Sequence, residues 1–309
     1  LFKTVSLLVN VQHLSKTFGQ FKAVEDLSFS VQEGEVYGFL GQNGAGKSTT
    51  IRMVLSLIKP SGGSIEIFGK TMANCRREIL SDVGAVVEKP DLYKYLSGYE
   101  NLSLFARMSG KNISRQAVND CLELVGLSAR SNDPVRVYSQ GMKQRLGIAV
   151  ALVHDPSLII LDEPTNGLDP QGIADIRNLI HLLSKERKKT VIVSSHLLSE
   201  IEQVADSMLI IHKGRKVVEG RVNDLLNPNK VMLEVITSDN NRATAILQES
   251  AWSRGVKPSP FQKIVIEIAS ADVPVLTKYL VDREIGVSGL RSMNSLEAYF
   301  LSITSGNEV

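Results

Sequence analysis

At 309 residues the chain has room for two domains, or one large and one small, at roughly 150 residues each. Hydrophobic residues at 43% and charged residues at 22% are typical of a globular protein and exclude a disordered, collagen-like or disulfide-stapled chain. A net charge of +2 gives no electrostatic surplus toward nucleic acid or anionic lipid. The longer apolar runs, such as Gly147–Val153, are less than half of the about 18 residues a membrane span needs.

The first residues, Leu1–Leu8, carry one lysine and no small-residue cleavage site, so no secretory signal is expected there. Cys75 and Cys121 lack metal-ligand spacing and read as reduced thiols of a cytoplasmic protein. Residues 8–40 alternate in strand fashion through Val9, Val11, Leu14, Val24, Leu27, Phe29 and Val31, interrupted by Gly19 and Gly34. Glu35–Leu40 is a short apolar strand running into the glycine-rich segment 41–46, and Lys47–Ile58 has helical spacing up to Pro60-Ser61-Gly62-Gly63. Strands are expected at Ser64–Phe68 and Val83–Val87. From about Pro90 to Val153 the pattern turns helical, with a loop at Ser131–Ser139. Strand-length runs then alternate with helices: Leu158–Leu161, helix 171–187, Val191–Ser194, helix 197–204 and Met208–His212. This alternation predicts a mostly parallel sheet covered by helices. The basic run Lys185–Lys189 closes a helix and reads as a solvated face.

A second unit is expected after Asn227-Pro228-Asn229. Val231–Ile236, a helix near 242–250, Ile264–Ile268, a helix near 272–283 and Leu296–Ile303 suggest a small α+β domain.

Gly41-Gln42-Asn43-Gly44-Ala45-Gly46-Lys47-Ser48, followed by Thr49, matches the phosphate-loop pattern G-x-x-x-x-G-K-[ST] between a strand and a helix. Glycines let successive N–H groups turn inward toward phosphate oxygens, and the helix N-terminus adds its positive dipole. Lys47 is expected to reach the β- and γ-phosphates, and the Ser48 hydroxyl to ligate Mg²⁺. Downstream, the buried run Leu158–Leu161 ends in Asp162-Glu163 and delivers two carboxylates to the same sheet edge. Asp162 suits the metal, and Glu163 suits a base that orients and deprotonates the attacking water.

Between these motifs, Tyr138-Ser139-Gln140-Gly141-Met142-Lys143-Gln144-Arg145-Leu146 resembles the signature of ATP-binding cassette (ABC) ATPases. Pro164-Thr165-Asn166-Gly167-Leu168-Asp169-Pro170 is similar to that family's D-loop, and Ser194-Ser195-His196 to its switch histidine. Phe18, before Gly19, fits the aromatic residue that stacks on adenine. The resemblance spans about residues 8–225. It implies that two cassettes pair head to tail around ATP, with Ser139 and Gly141 of one covering the nucleotide of the other. His196 is then expected at the γ-phosphate and Asp169 at the coupling of the two sites.

Two positions depart from the family pattern. Gln140 stands where a glycine is usual, so a glycine conformation is not assured there. Glu88, in Val86-Val87-Glu88-Lys89-Pro90, stands where the Q-loop glutamine meets Mg²⁺ and the lytic water. It either ligates magnesium with an added negative charge or is a solvated loop acid.

With no membrane span of its own, such a subunit implies separate transmembrane permease subunits, docked beside Lys89–Leu96 with Tyr93 and Tyr95 as exposed anchors. Glu88, the following Pro-x-Leu-Tyr, Glu100-Asn101-Leu102, the helix from Met142 to Gly147 and the tail Ser295–Leu301 resemble the ATPases of bacitracin and lantibiotic resistance or immunity exporters. That resemblance implies ATP-driven removal of antimicrobial peptides, by a protein peripheral to the inner face of the plasma membrane. Sodium-extruding and small-drug exporters share most of these features. Family members that act on DNA carry a long insertion between phosphate loop and signature, where this chain has about 90 residues, and ribosomal members carry two cassettes. The expected fold is α/β: an ABC-type P-loop ATPase core over 1–225, with an N-terminal antiparallel β subdomain and a helical insertion about 90–155. A small C-terminal α+β domain is expected over 230–309.

Overall fold

The alternation in residues 8–31 becomes a pair of long strands because it puts Val9, Val11, Leu14, Val24, Leu27 and Val31 on one buried face. The computed structural model describes residues 6–88, 90–225, 230–257 and 263–293. The linker Asn227-Pro228-Asn229, the expected strand Leu296–Ile303, the tail 295–301 and Lys89 of the expected docking segment lie outside them. The chain divides into two compact units, Leu1–Arg221 and Val222–Val309.

In the first unit, β1 (Leu7–Phe18) and β2 (Phe21–Gln32) are followed by β3 (Val36–Leu40), α1 (Lys47–Val54), β4 (Gly62–Ile67), β5 (Lys70–Thr71), α2 (Met72–Leu80) and β6 (Val83–Val86). Then come the helices α3 (Gly98–Met108), α4 (Arg115–Leu124) and α5 (Gln140–Leu152). The unit ends with β7 (Leu158–Leu161), α6 (Pro170–His181), β8 (Thr190–Ser195), α7 (Leu198–Val204), β9 (Ser207–His212) and β10 (Arg215–Arg221). One sheet is antiparallel, in the order β2-β1-β4-β5. The other runs β10-β9-β3-β8-β7-β6 and is parallel except for β10. Every residue of β3, β7 and β8 is buried, as a sheet covered on both faces requires.

α1 stops at Val54, short of the expected Ile58. Ser56 takes a left-handed conformation at φ 54°, and the Leu57 and Ile58 N–H groups both turn back to the Arg52 carbonyl. The expected helix 171–187 is α6 followed by a wider π-helical turn at Leu182–Glu186. Ser97 caps α3 through a reciprocal capping box with Glu100. Two approaches tie the helices down. Gly98 lies against the Tyr138 hydroxyl, and a Cβ on Gly147 of α5 would come within 2.5 Å of Pro90 Cβ.

The second unit holds α8 (Val222–Leu225), β11 (Lys230–Thr237), α9 (Asn240–Gln248), β12 (Val256–Lys257), β13 (Ile264–Ala269), α10 (Val273–Val281) and β14 (Val287–Met293). Its sheet order β12-β13-β11-β14, antiparallel throughout, is the split-βαβ arrangement of ferredoxin-like domains. Leu233 and Val235 of β11 and Ile264, Ile266 and Ile268 of β13 pack with Ala243, Leu247, Leu276 and Leu280 of the two longer helices in one core.

Candidate functional site

Parallel register brings three strand ends to one edge of the six-stranded sheet: Leu40 pairs with Ser195, and Leu161 with Val193. The loop after β3, the acids after β7 and His196 after β8 therefore emerge side by side, the place where open α/β sheets bind ligands. Gly44 and Gly46 adopt φ of 81° and 108°, which side-chain-bearing residues rarely reach. Gly46 is also hemmed in, since a Cβ there would lie 2.8 Å from the Ala23 carbonyl oxygen. The loop thus hands the chain to α1 with Lys47 buried at its first turn.

The Lys47 ammonium donates to the Gly41 carbonyl at 2.6 Å and lies 3.3 Å from that of Gln42. It also stands 2.9 Å from Glu163 Oε1. That oxygen is buried and has no aligned hydrogen bond among the described residues, so its pairing with Lys47 is one of charge. The other Glu163 oxygen accepts from His196 Nδ1–H at 2.7 Å, which fixes the ring's tautomer. Ser194 joins the two acids: its hydroxyl donates to Asp162 Oδ1 at 2.6 Å and accepts the Glu163 N–H at 2.9 Å. Glu163 sits at φ 50°, a strained conformation for a residue with a side chain and one that clusters at functional sites. Glu200 braces the following loop by accepting from the Thr165 and Ser195 hydroxyls at 2.8 and 2.6 Å.

Ser48, Glu88, Asp162 and Glu163 line one cavity of about 330 Å³, together with Gln140, Gln144, Asn166 and Gly167. Glu88, also at a positive φ of 63°, is ion-paired with Arg52 of α1. A buried lysine at a glycine-rich helix start, with a serine and three carboxylates bordering the cavity beside it, suits a nucleotide's phosphates with an attacking water.

Ser139, Gly141, Asp169 and Phe18 are not among the residues that line that cavity. Ser139 is the N-cap of α5, its hydroxyl accepting the Met142 N–H at 3.2 Å. Gly141 is not ahead of that helix, as expected, but within its first turn. Gln140 opens the helix without a positive φ, which explains why glutamine is accepted where the family pattern has glycine. Asp169 caps α6 by accepting the Gly172 N–H at 3.0 Å. Phe18 ends the β1 strand half exposed, with Lys16 Nζ 4.8 Å from its ring centre. Sequence reasoning missed Ser194 as a bridge, Gln144, Glu200 and Arg52. Only the two hydroxyls in a buried strand, Ser194 and Ser195, were a usable signal.

The family model for the ABC transporter matches residues 24–166. Over 306 residues the chain is 42% identical to the bacitracin transport ATP-binding protein BcrA of Bacillus licheniformis, covering 99% of this chain and 100% of that one. It is 39% identical to the lantibiotic transport ATP-binding protein SrtF of Streptococcus pyogenes over 212 residues, 69% of this chain and 90% of the relative. A solved dimeric ATP-binding cassette in a post-hydrolysis state with ADP and Pi superposes with a TM-score of 0.64 at 25% identity, over 70% of this chain and 99% of that one. An ATP-binding subunit of an ABC transporter gives 0.63 at 32%, over 71% and 91%. With its phosphate loop, carboxylate pair and histidine at one sheet edge, the chain belongs to the ATP-binding proteins of ABC transporters, and its reaction is ATP hydrolysis coupled to transport.

Proposed function

We propose that this ATPase drives an exporter that removes antimicrobial peptides of the bacitracin and lantibiotic type from the cell or its membrane. The observation that carries the reading is the full-length likeness to a bacitracin transport protein. None of the described helices is long and apolar enough to cross a membrane, which supports a separate permease and a place on the inner face of the plasma membrane. Tyr93 and Tyr95, 52% and 88% exposed, are available as its docking anchors.

Within the site, Lys47 and the N–H groups of residues 41–49 hold the phosphates, and Phe18 stacks on the adenine. Ser48, Asp162 and Glu88, which border one cavity, would hold Mg²⁺. Among the described residues no group of three or more His, Cys, Asp or Glu is assembled to hold a cation unaided. A metal held there would supply charge neutralisation for the phosphates. Glu163, freed from Lys47, takes the proton of the attacking water, while His196 keeps the carboxylate oriented and reaches the γ-phosphate. A second copy or a related cassette, paired head to tail, covers the nucleotide with its Ser139 and Gly141, and Asp169 links the two sites.

Growth inhibition of cells carrying Glu163→Gln tests the reading against cationic peptide antibiotics, lipophilic drugs and sodium stress. Hypersensitivity confined to one peptide class is expected. Sensitivity to drugs or sodium alone would keep the motor and discard the peptide.

A further inference from the structure

We propose that Arg52 is a positioning residue for the reaction, holding the Glu88 carboxylate and balancing its charge so that an acid can occupy the Q-loop beside a triphosphate. This rests on the reading that Glu88 faces the metal–nucleotide complex. Arg52 lies four residues after Ser48 on α1, hence on the same helix face, and its Nη2 donates to Glu88 Oε1. Glu88 lines the same cavity as Ser48, Asp162 and Glu163. Among the described residues three carboxylates thus border that cavity, and Lys47 pairs with one of them, Glu163, before any phosphate enters.

The pair is not explained by stability. Its side chains are 38% and 64% exposed, the setting in which ion pairs stabilise least. Glu88 nevertheless holds a left-handed backbone conformation at φ 63°, which persists only where neighbours over-determine it. An arginine anchored on the phosphate-loop helix provides that restraint. The same helix turn that carries the serine for the cation therefore carries a counter-charge for the acid facing it.

The test uses the full chain and two readouts besides turnover. A fluorescent ATP analogue is titrated without divalent metal, and Mn²⁺ is titrated into the protein–ATP complex by electron paramagnetic resonance. Arg52→Gln is expected to weaken metal-free ATP binding about tenfold, since the uncompensated carboxylate opposes the phosphates. It is expected to lower the Mn²⁺ concentration at half-saturation, because the carboxylate is released to the cation. Arg52→Lys, which keeps the charge, should remain close to the unaltered chain in both. In a Glu88→Gln background, Arg52→Gln should change neither value. An equal loss of metal-free binding in both backgrounds, or no loss in either, overturns the proposal. Thermal melting of each variant separates misfolding from these effects. If Glu88→Gln alone leaves the Mn²⁺ titration unmoved, Glu88 is not a metal group; the metal-free titration still decides the charge balance.

Discussion

Lys47 and Glu163 neutralise one another, Nζ to Oε1 at 2.9 Å, inside the site where we propose that one holds phosphate and the other takes a proton from water. Entering phosphates must separate them. Glu163→Gln is therefore expected to bind ADP about fivefold to tenfold more tightly than the unaltered chain, as phosphate no longer competes with a carboxylate for the ammonium. The same variant should lose turnover by about a hundredfold or more. Lys47→Ala should lose tight nucleotide binding altogether. Equilibrium titration with a fluorescent ADP, beside a phosphate-release assay, reads all three. Unchanged ADP affinity in Glu163→Gln would show that the ion pair does not hinder binding.

Tyr138 occupies the first signature position, its hydroxyl donating to the Arg130 carbonyl at 2.6 Å and leaning on Gly98. A methyl group at Gly98 would overlap that hydroxyl. Gly98→Ala should cost about 1–3 kcal/mol, as overpacking does. With Tyr138→Leu beside it, which removes the hydroxyl, Gly98→Ala should become nearly neutral. Urea unfolding of the two single variants and the double variant measures the coupling, and equal costs in both backgrounds would remove the contact as the cause.

His154 follows α5 and donates from Nε2 to the Val83 carbonyl at 3.3 Å. Burial, and then the Lys111 ammonium, hold its pKa below the ordinary imidazole range. Folded protein thus keeps the ring neutral while the unfolded chain takes up a proton below about pH 6.5. The stabilisation is full above that pH and falls as the pH drops from there through the lower pKa of the folded state. His154→Gln keeps a donor for Val83 but cannot titrate. Melting temperatures from pH 7.5 to 5 should fall less steeply in the variant than in the unaltered chain. Some slope should persist, because burial also depresses the pKa of His212.

The phosphate loop and the Asp162-Glu163 pair were legible because each is a local pattern with a structural consequence: glycines where φ turns positive, acids where a buried strand ends. Ser194 carries a fainter mark, a hydroxyl in a buried strand, which does not name its partners. Its role exists only because the parallel register sets it beside Asp162 and Glu163. Arg52 likewise acts across the fold, on a partner 36 residues away, and Glu200 joins its neighbour Ser195 to Thr165, 35 residues away. Among the strands and helices, α2 escaped notice because it buries only Met72 and Ile79, and β10 because it is an edge strand with no fully buried residue. In the second unit β12 is two residues long and β14 reads Val-Ser-Gly-Leu-Arg-Ser-Met, with a glycine third, so neither shows strand alternation.

Gly147 and Pro90 meet with no room for a methyl group between them. Pro90 lies two residues beyond Glu88, and Gly147 lies on the helix that Ser139 begins. Gly147→Ala would therefore force the Pro90 segment or α5 to give way, because a new Cβ would come within 2.5 Å of Pro90 Cβ. The absence of a side chain at Gly147 is what lets the segment two residues beyond Glu88 lie directly on the helix that Ser139 begins.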